Sequence, residues 1–552
     1  MIHNNIMKEK KLFFLTMLVI LLLFTAFSFS DRFFKITQSM SIFSSLYKEV
    51  NAFYVDETNP NKLMKTGIDA MLASLDPYTN YISEDRIEDF RTLNTGQYGG
   101  IGASTIQIDN KTYISMIFEG YSAHGSKLQI GDQVLAINHI GIAEKSRDDI
   151  NKLLKGQNIT EVVLTVKRYG FEAPMDIRIE REKITIENVP FYGLLKENVG
   201  YIKLNEFTQN ASRNVKNALK NLKKQGAQGI ILDLRGNPGG LLIEAVNISN
   251  IFLPKGSAIV STKGKIEENN TNYLAMFDPV DTKIPLAILI NSGSASASEI
   301  VAGVMQDYDR GFLVGQKSYG KGLVQTTRRL SYNAQLKVTT AKYYIPSGRC
   351  IQALDYSHRR PDGSIGTVPD SLITAFKTKN GRTVFDGGGI DPDIEIEEHH
   401  LPPVVRSLNT QGFIFQYATI FHHDHEKIAA PVQYHLSDED YEIFLNWLNR
   451  QGFTFKNNTE EDLLNLKTYS QKEGNWNVIE NAYNQLQDEI QKQKKSDIYR
   501  FKEDIVRLLE KEIVSRYYLE HGAIEAGFND DPCILKTIDI LSSSVKYASL
   551  LE

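Results

Sequence analysis

Three loops carry the residues of this 552-residue chain that could do chemistry. Asp233-Leu234-Arg235-Gly236-Asn237-Pro238-Gly239-Gly240 and Asn291-Ser292-Gly293-Ser294-Ala295-Ser296-Ala297-Ser298-Glu299 each follow an apolar run that reads as a buried strand. Folds of alternating strands and helices place their sites at such strand ends. The third loop runs Gly315-Gln316-Lys317-Ser318-Tyr319-Gly320-Lys321-Gly322-Leu323-Val324-Gln325. Each loop also has a structural reading. Glycines at 236, 239 and 240 suit a tight strand-to-helix turn, and they miss the G-x-G-x-x-G spacing of dinucleotide sites. Ser296 with Glu299 at the third position beyond it is a capping box, which starts a helix. The chemical reading is that small neighbours let a polypeptide backbone approach Ser296, while a helix N-terminus supplies amide donors. Lys321, between two glycines, would be the base for such a nucleophile if desolvation leaves its amine neutral; a lone lysine is otherwise an exposed charge.

The surrounding pattern says which elements position these loops. From Gly200 to Tyr344 strands and helices alternate: Tyr201–Leu204, the amphipathic stretch Ala211–Lys224, Gly229–Leu234, Leu241–Phe252, Leu286–Ile290, Ser298–Gln306 and Phe312–Val314. Alternation of this kind predicts parallel strand pairs in an α/β architecture. Residues 93–182 instead show short β-like runs separated by glycines, which suits a small β domain. Ser39–Phe90 reads as helical with a stop at Asp76-Pro77, and the chain after Pro402 is again mainly helical, with a long pattern from Val478 toward Leu519. The expected division is residues 1–30, 31–92, 93–182, 183–400 and 401–552.

Composition excludes several classes. With 62 Lys+Arg against 67 Asp+Glu, a net charge of −5 and 42% hydrophobic residues, the chain is neither disordered, nor collagen-like, nor a generally basic nucleic-acid binder. The run Lys492-Gln493-Lys494-Lys495 reads as a solvated helix face. Two cysteines, Cys350 and Cys533, make neither a disulfide framework nor a four-ligand zinc site, and they are expected not to pair. His422-His423-Asp424-His425 reads as a surface turn rather than a metal site. No metal or cofactor is expected. Lys8, Lys10 and Lys11 precede nineteen uncharged residues, Leu12–Ser30. A helix of that length nearly crosses a hydrocarbon layer of about 30 Å. The basic flank predicts a membrane anchor that keeps its start in the cytoplasm and sends the rest of the chain across the membrane; cleavage near Ala26 and Ser28 would instead release it there.

Taken together, the S-A-S-A-S-E run Ser294–Glu299, Tyr319-Gly320-Lys321-Gly322 with Val324-Gln325, and Asp233-Leu234-Arg235 with Asn237-Pro238-Gly239-Gly240 resemble the carboxyl-terminal processing peptidases, the tail-specific proteases of family S41. The resemblance spans about Phe43 to Glu397 and holds three motifs in order. It implies a serine endopeptidase with a crotonase/ClpP-like core. Ser296 is then the nucleophile, Lys321, 25 positions on, the general base, and Gln325 the residue that orients the lysine. The oxyanion hole falls to the N–H groups of Ala297 and Gly239, with Gly240 as the alternative. Tyr98-Gly99-Gly100-Ile101-Gly102-Ala103 and Ser126–Asn138 resemble the inserted PDZ domain of that family. This assigns substrate-tail binding to Gly100, Ile101 and Gly102. Implied partners are proteins or peptides with free C-terminal tails, the membrane through the N-terminal helix, an activator or adaptor at the C-terminal region, and further copies of the chain; nucleic acid is not among them. Phe385–Ile394 resembles the closing segment of the protease core. Two rival readings are a catalytically silent PDZ adaptor and a Ser-His-Asp hydrolase. The first has no need of Ser296, Lys321 and Gln325 together. The second ordinarily shows a G-x-S-x-G elbow, and Gly293-Ser294-Ala295-Ser296-Ala297 lacks the closing glycine.

Overall fold

The structure, a computed structural model, describes residues 33–360 and 364–552. The apolar segment Leu12–Ser30 lies outside them. The chain divides into two units, residues 1–81 and 82–552.

In the first unit the described residues form helix 33–53 and helix Pro60–Ala73. Asn59 caps the second helix by accepting the Lys62 N–H at 3.0 Å, and Pro60 takes the first position, where a missing N–H costs nothing. The Tyr47 hydroxyl donates to Pro60 O at 2.7 Å, and the Phe43 ring packs on Gly67. After the helix Asp76 holds a turn, its carboxylate accepting the N–H groups of Tyr78 and Thr79, both at 2.8 Å.

The second unit is built around a six-stranded sheet in the order Ile394–Glu395, Phe312–Gly315, Leu286–Ile290, Gly229–Asp233, Val199–Lys203, Phe191–Leu194. All neighbours are parallel except the last pair. The register aligns Tyr201, Ile231, Ala287 and Phe312 in one row and Ile202, Leu232, Ile288 and Leu313 in the next. Because side chains alternate, the rows face opposite sides, and both are buried. This is why these strands read as unbroken apolar runs. The second row packs under helices Ala211–Lys224, Leu242–Phe252 and Ala297–Asp307. The first row packs under the end of the chain: Phe528 and helices Pro532–Leu541 and Ser544–Leu551.

The last residues therefore cover one face of the six-stranded sheet. Phe528 meets Phe191 and Tyr201 edge-on at 5.3 and 5.0 Å between ring centroids. Phe528→Ala is expected to remove about 3–5 kcal/mol of stability, read as a lowered urea midpoint. An unchanged midpoint would show that the terminal helices do not cover the sheet in solution.

Residues 97–185 form a seven-stranded antiparallel sheet in the order Gln97–Gly100, Met175–Thr185, Thr160–Lys167, Gln133–Ile137, Lys111–Ile117, Ala103–Ile108, with Ile140–Gly141 beside Gln133–Ile137. Ile114, Ile137, Val162, Leu164 and Val166 fill its core. The strand Ala103–Ile108 is an edge. From Pro403 to Glu525 six helices surround a third core that includes Val404, Tyr441, Phe444, Leu509 and Ile513. The long pattern expected from Val478 is broken at Phe501 (φ −106°, ψ 28°) into Trp476–Arg500 and Lys502–Glu525, the second kinked at Leu519 (φ 54°, ψ −149°). The histidine cluster lies at the surface, as expected, but most of it ends a helix and is not a free turn. His422 and His423 occupy the last turn of helix Phe413–Asp424, where His423 meets the Tyr169 ring edge-on at 5.3 Å. Phe415 of that helix enters the β-sheet core against Tyr113. Cys350 and Cys533 are both free thiols.

Candidate active site

Ser296 stands between strand Leu286–Ile290 and helix Ala297–Asp307, at the parallel sheet's strand ends. Its backbone has φ 56° and ψ −111°, a region that residues with a Cβ avoid. Such strain costs on the order of 1–3 kcal/mol and persists only where the surroundings enforce it. Here they do. The Ala295 N–H donates to Asn237 O at 3.0 Å, the Ile300 N–H to Ser296 O at 3.0 Å, and the Ser296 N–H to the Glu299 carboxylate at 2.7 Å. The run holds three alternating serines, and the fold separates them. Ser294 is buried with its hydroxyl donating to Leu234 O at 2.8 Å, and Ser298 is buried with its hydroxyl donating to Asn237 O at 2.9 Å. Ser296 is partly exposed and faces a cavity of about 380 Å³.

That cavity brings together Ser296, Ala297, Gly239, Gly240, Lys321 and Gln325. Gly239 lies hard against the serine turn: a Cβ on it would fall 2.9 Å from both Ala297 N and Ser296 Cβ, and its φ of +99° is open to glycine. The Gly239 N–H donates to Asn237 Oδ1 at 2.9 Å, whereas the N–H groups of Gly240 and Ala297 have no acceptor among the described residues. Ala297 opens an eleven-residue helix, so its amide carries the positive end of the helix dipole. Gln325 donates from Nε2 to Thr339 Oγ1 at 3.2 Å on the hairpin Leu323–Arg329/Gln335–Tyr344. No histidine lines the cavity among the described residues.

One residue read from the sequence only as a helix cap has a larger part. Glu299 is fully buried, and its two carboxylate oxygens accept four donors. Oε1 takes the Ser318 hydroxyl at 2.5 Å and the Gly320 N–H at 2.6 Å; Oε2 takes the Ser296 N–H at 2.7 Å and the Lys321 N–H at 2.9 Å. A single side chain thus ties the backbone of Ser296 to that of Lys321. Burial pushes the Glu299 carboxyl up, against the pull of these four donors. Tyr343, also buried, sets its hydroxyl 2.5 Å from Lys321 O and 3.2 Å from Ser296 O, adding a second strut. The capping-box spacing was the available signal for Glu299. The donors from residues 318–321 are remote in sequence and left no local trace.

The turn that carries Gly239 is anchored at its start. Burial alone would push Asp233 up, but Arg235 and Lys203 outweigh it and hold the carboxyl well below the usual range. Arg235 also reaches Asp531, the N-cap of Pro532–Leu541, at 2.7 Å. Sequence reasoning missed other walls of the cavity, notably Phe90, Leu93 and Asn94 of helix Ile87–Thr95, together with Glu206 and Lys337. Gly100, Ile101 and Gly102 line no part of it. Gly100 ends strand Gln97–Gly100, and Ile101 and Gly102 join it to Ala103–Ile108, pinned by Ala123 N–H to Ile101 O at 2.9 Å and Phe118 N–H to Gly102 O at 2.8 Å.

Two family models match the chain: Peptidase family S41 over residues 198–357, and "Probable PDZ-protease, C-terminal helical domain" over 404–541. A carboxy-terminal-processing protease of Bartonella bacilliformis is 33% identical over 340 residues, 61% of this chain and 75% of that protein. A probable CtpA-like serine protease of Staphylococcus epidermidis is 38% identical over 355 residues, 62% of this chain and 70% of that protein. Among solved structures, a photosystem II D1 C-terminal processing protease aligns with 24% identity and a TM-score of 0.35, covering 65% of this chain and 93% of that one.

Proposed function

Since the chain belongs to the carboxy-terminal-processing proteases of peptidase family S41, which are serine peptidases, we propose that Ser296 and Lys321 are its catalytic dyad. The observation that carries this is the shared cavity, in which Ser296 is the serine of its run that is neither buried nor spent on a backbone carbonyl. Ser296 Oγ attacks the scissile carbonyl carbon while Lys321 Nζ accepts the hydroxyl proton, which it then returns to the leaving amine. Water hydrolyses the resulting acyl-enzyme by the same relay. Ala297 N–H and an amide of the Gly239-Gly240 turn receive the oxyanion; Gly240 has its N–H available, and Gly239 serves once its bond to Asn237 is released. Gln325 orients the lysine. A triad that uses histidine is disfavoured by the cavity's lining.

The wider reading follows the same family. Residues 97–185 act as a PDZ domain that captures an extended tail on the edge strand Ala103–Ile108, with Gly100, Ile101 and Gly102 at its carboxylate. The six-stranded sheet with its helices is a crotonase/ClpP-like core. The enzyme works on protein tails in the cell envelope, held to the inner membrane by Leu12–Ser30 or released to the periplasm if that segment is cleaved, with an adaptor or further copies as partners. An alkyl fluorophosphonate tests the site. Full-length protein should lose peptidase activity in step with one adduct on Ser296 Oγ, located by mass spectrometry. An adduct confined to Ser294 or Ser298, or full activity with Ser296 modified, would reject the assignment.

A further inference from the structure

The cavity beside Ser296 holds two charged side chains that the scheme above does not use, Glu206 and Lys337. Both are partly buried, and neither has an ion-pair or hydrogen-bond partner among the described residues. Burial without a compensating neighbour pushes the Lys337 ammonium down and the Glu206 carboxyl up. A charge withdrawn from water and left unpaired costs free energy, so such a group normally has a partner. On the hairpin Lys337 stands opposite Thr327, and Thr339 opposite Gln325. Alternation along the strands therefore places Lys337 on the face that carries Gln325, and Gln325, Thr327 and Lys337 all line the cavity. The cation thus lies where a polypeptide bound at Ser296 would pass.

We propose that Lys337 is a specificity residue whose ammonium receives a carboxylate of the bound polypeptide, from an Asp or Glu side chain near the scissile bond or from the chain's own C-terminus. This rests on the reading of Ser296 and Lys321 as the reacting groups. Lys337 is not the base in this scheme; it selects what is presented to the base. Glu206, which lines the same cavity, disfavours a second carboxylate beside it and favours cationic or neutral groups there.

Two matched peptide sets distinguish the sources. One replaces single Glu residues around the cleaved bond with Gln, and the other replaces the free C-terminus with an amide. With full-length wild-type protein, kcat/KM should favour the carboxylate member of at least one set by about tenfold, the scale of one charge-assisted contact. In Lys337→Gln and Lys337→Ala that ratio should fall to about one, and in Lys337→Glu it should invert. Collapse in the first set alone identifies an acidic side chain; collapse in the second alone identifies the terminus. A ratio that survives in all three variants overturns the proposal, as does the lack of any preference in the wild type. A terminal preference unaffected at Lys337 belongs to the Gly100–Gly102 loop. Ser296→Ala runs in parallel: continued cleavage by it rejects the dyad, whereas dyad-dependent cleavage with an unaltered charge ratio rejects Lys337 alone.

Discussion

Lys321→Ala is expected to lower kcat for peptide cleavage by about three to four orders of magnitude while the far-ultraviolet circular dichroism stays that of the wild type. A positioned base contributes roughly 10²–10⁴, and groups that act as a unit lose nearly everything when one is removed. The loss should fall on kcat more than KM, because proton transfer is made only on the way to the transition state. The fold should survive. The backbone of residue 321 is held by Glu299 and Tyr343 through its own N–H and C=O, and alanine retains both. Undiminished proteolysis, or loss of activity only when a histidine is replaced, would remove Lys321 from the mechanism and restore the triad reading.

Glu299→Gln is expected to lower kcat by about 10²–10³ with little change in KM. Four donors converge on one carboxylate, two per oxygen. An amide offers one oxygen, and its NH₂ must face a pair of donors, either Ser318 and Gly320 or Ser296 and Lys321. Each buried donor left unmet costs roughly 1–3 kcal/mol, so the loops carrying Ser296 and Lys321 are driven apart. Displacement by about 1 Å is enough for a hundredfold loss of rate. A cap that served only the helix would make Gln nearly as good as Glu, since both complete a capping box. Wild-type kcat in Glu299→Gln would therefore show that the carboxylate does not position the dyad. A lowered kcat in protein that a urea titration shows to be fully folded under the assay conditions would separate positioning from folding, and the rate of fluorophosphonate labelling at Ser296 should fall in parallel.

The β domain and the site make a useful contrast in legibility. Period-two alternation in Val162–Val166 and the unbroken apolar runs Gly229–Leu234 and Leu286–Ile290 could be read directly, because burial on one face or both leaves its mark on adjacent residues. Helix Ala297–Asp307 began within one residue of its expected start, since caps are local chemistry. By contrast, Val478–Leu519 kept a helical pattern across the break at Phe501, because periodicity does not record a change of direction. The His422–His425 run has the polar composition of a turn, yet His422 and His423 close a helix and His423 meets Tyr169, a neighbour that sequence does not record.

Sequence alone singles out the candidates for the proposed chemistry, a serine, a lysine and a glycine turn, each on a loop after a strand, because loop composition and strand patterning are local. Folding in three dimensions settles which of three serines is accessible, that Gly239 spends its amide on Asn237, that Glu299 joins two loops more than twenty residues apart, and that helices near the end of the sequence cover the sheet beneath the site. The physical reason is that burial and hydrogen-bond partnership are properties of neighbours in space. Residues such as Glu206, Lys337 and Phe528 acquire their roles only when distant segments close around them.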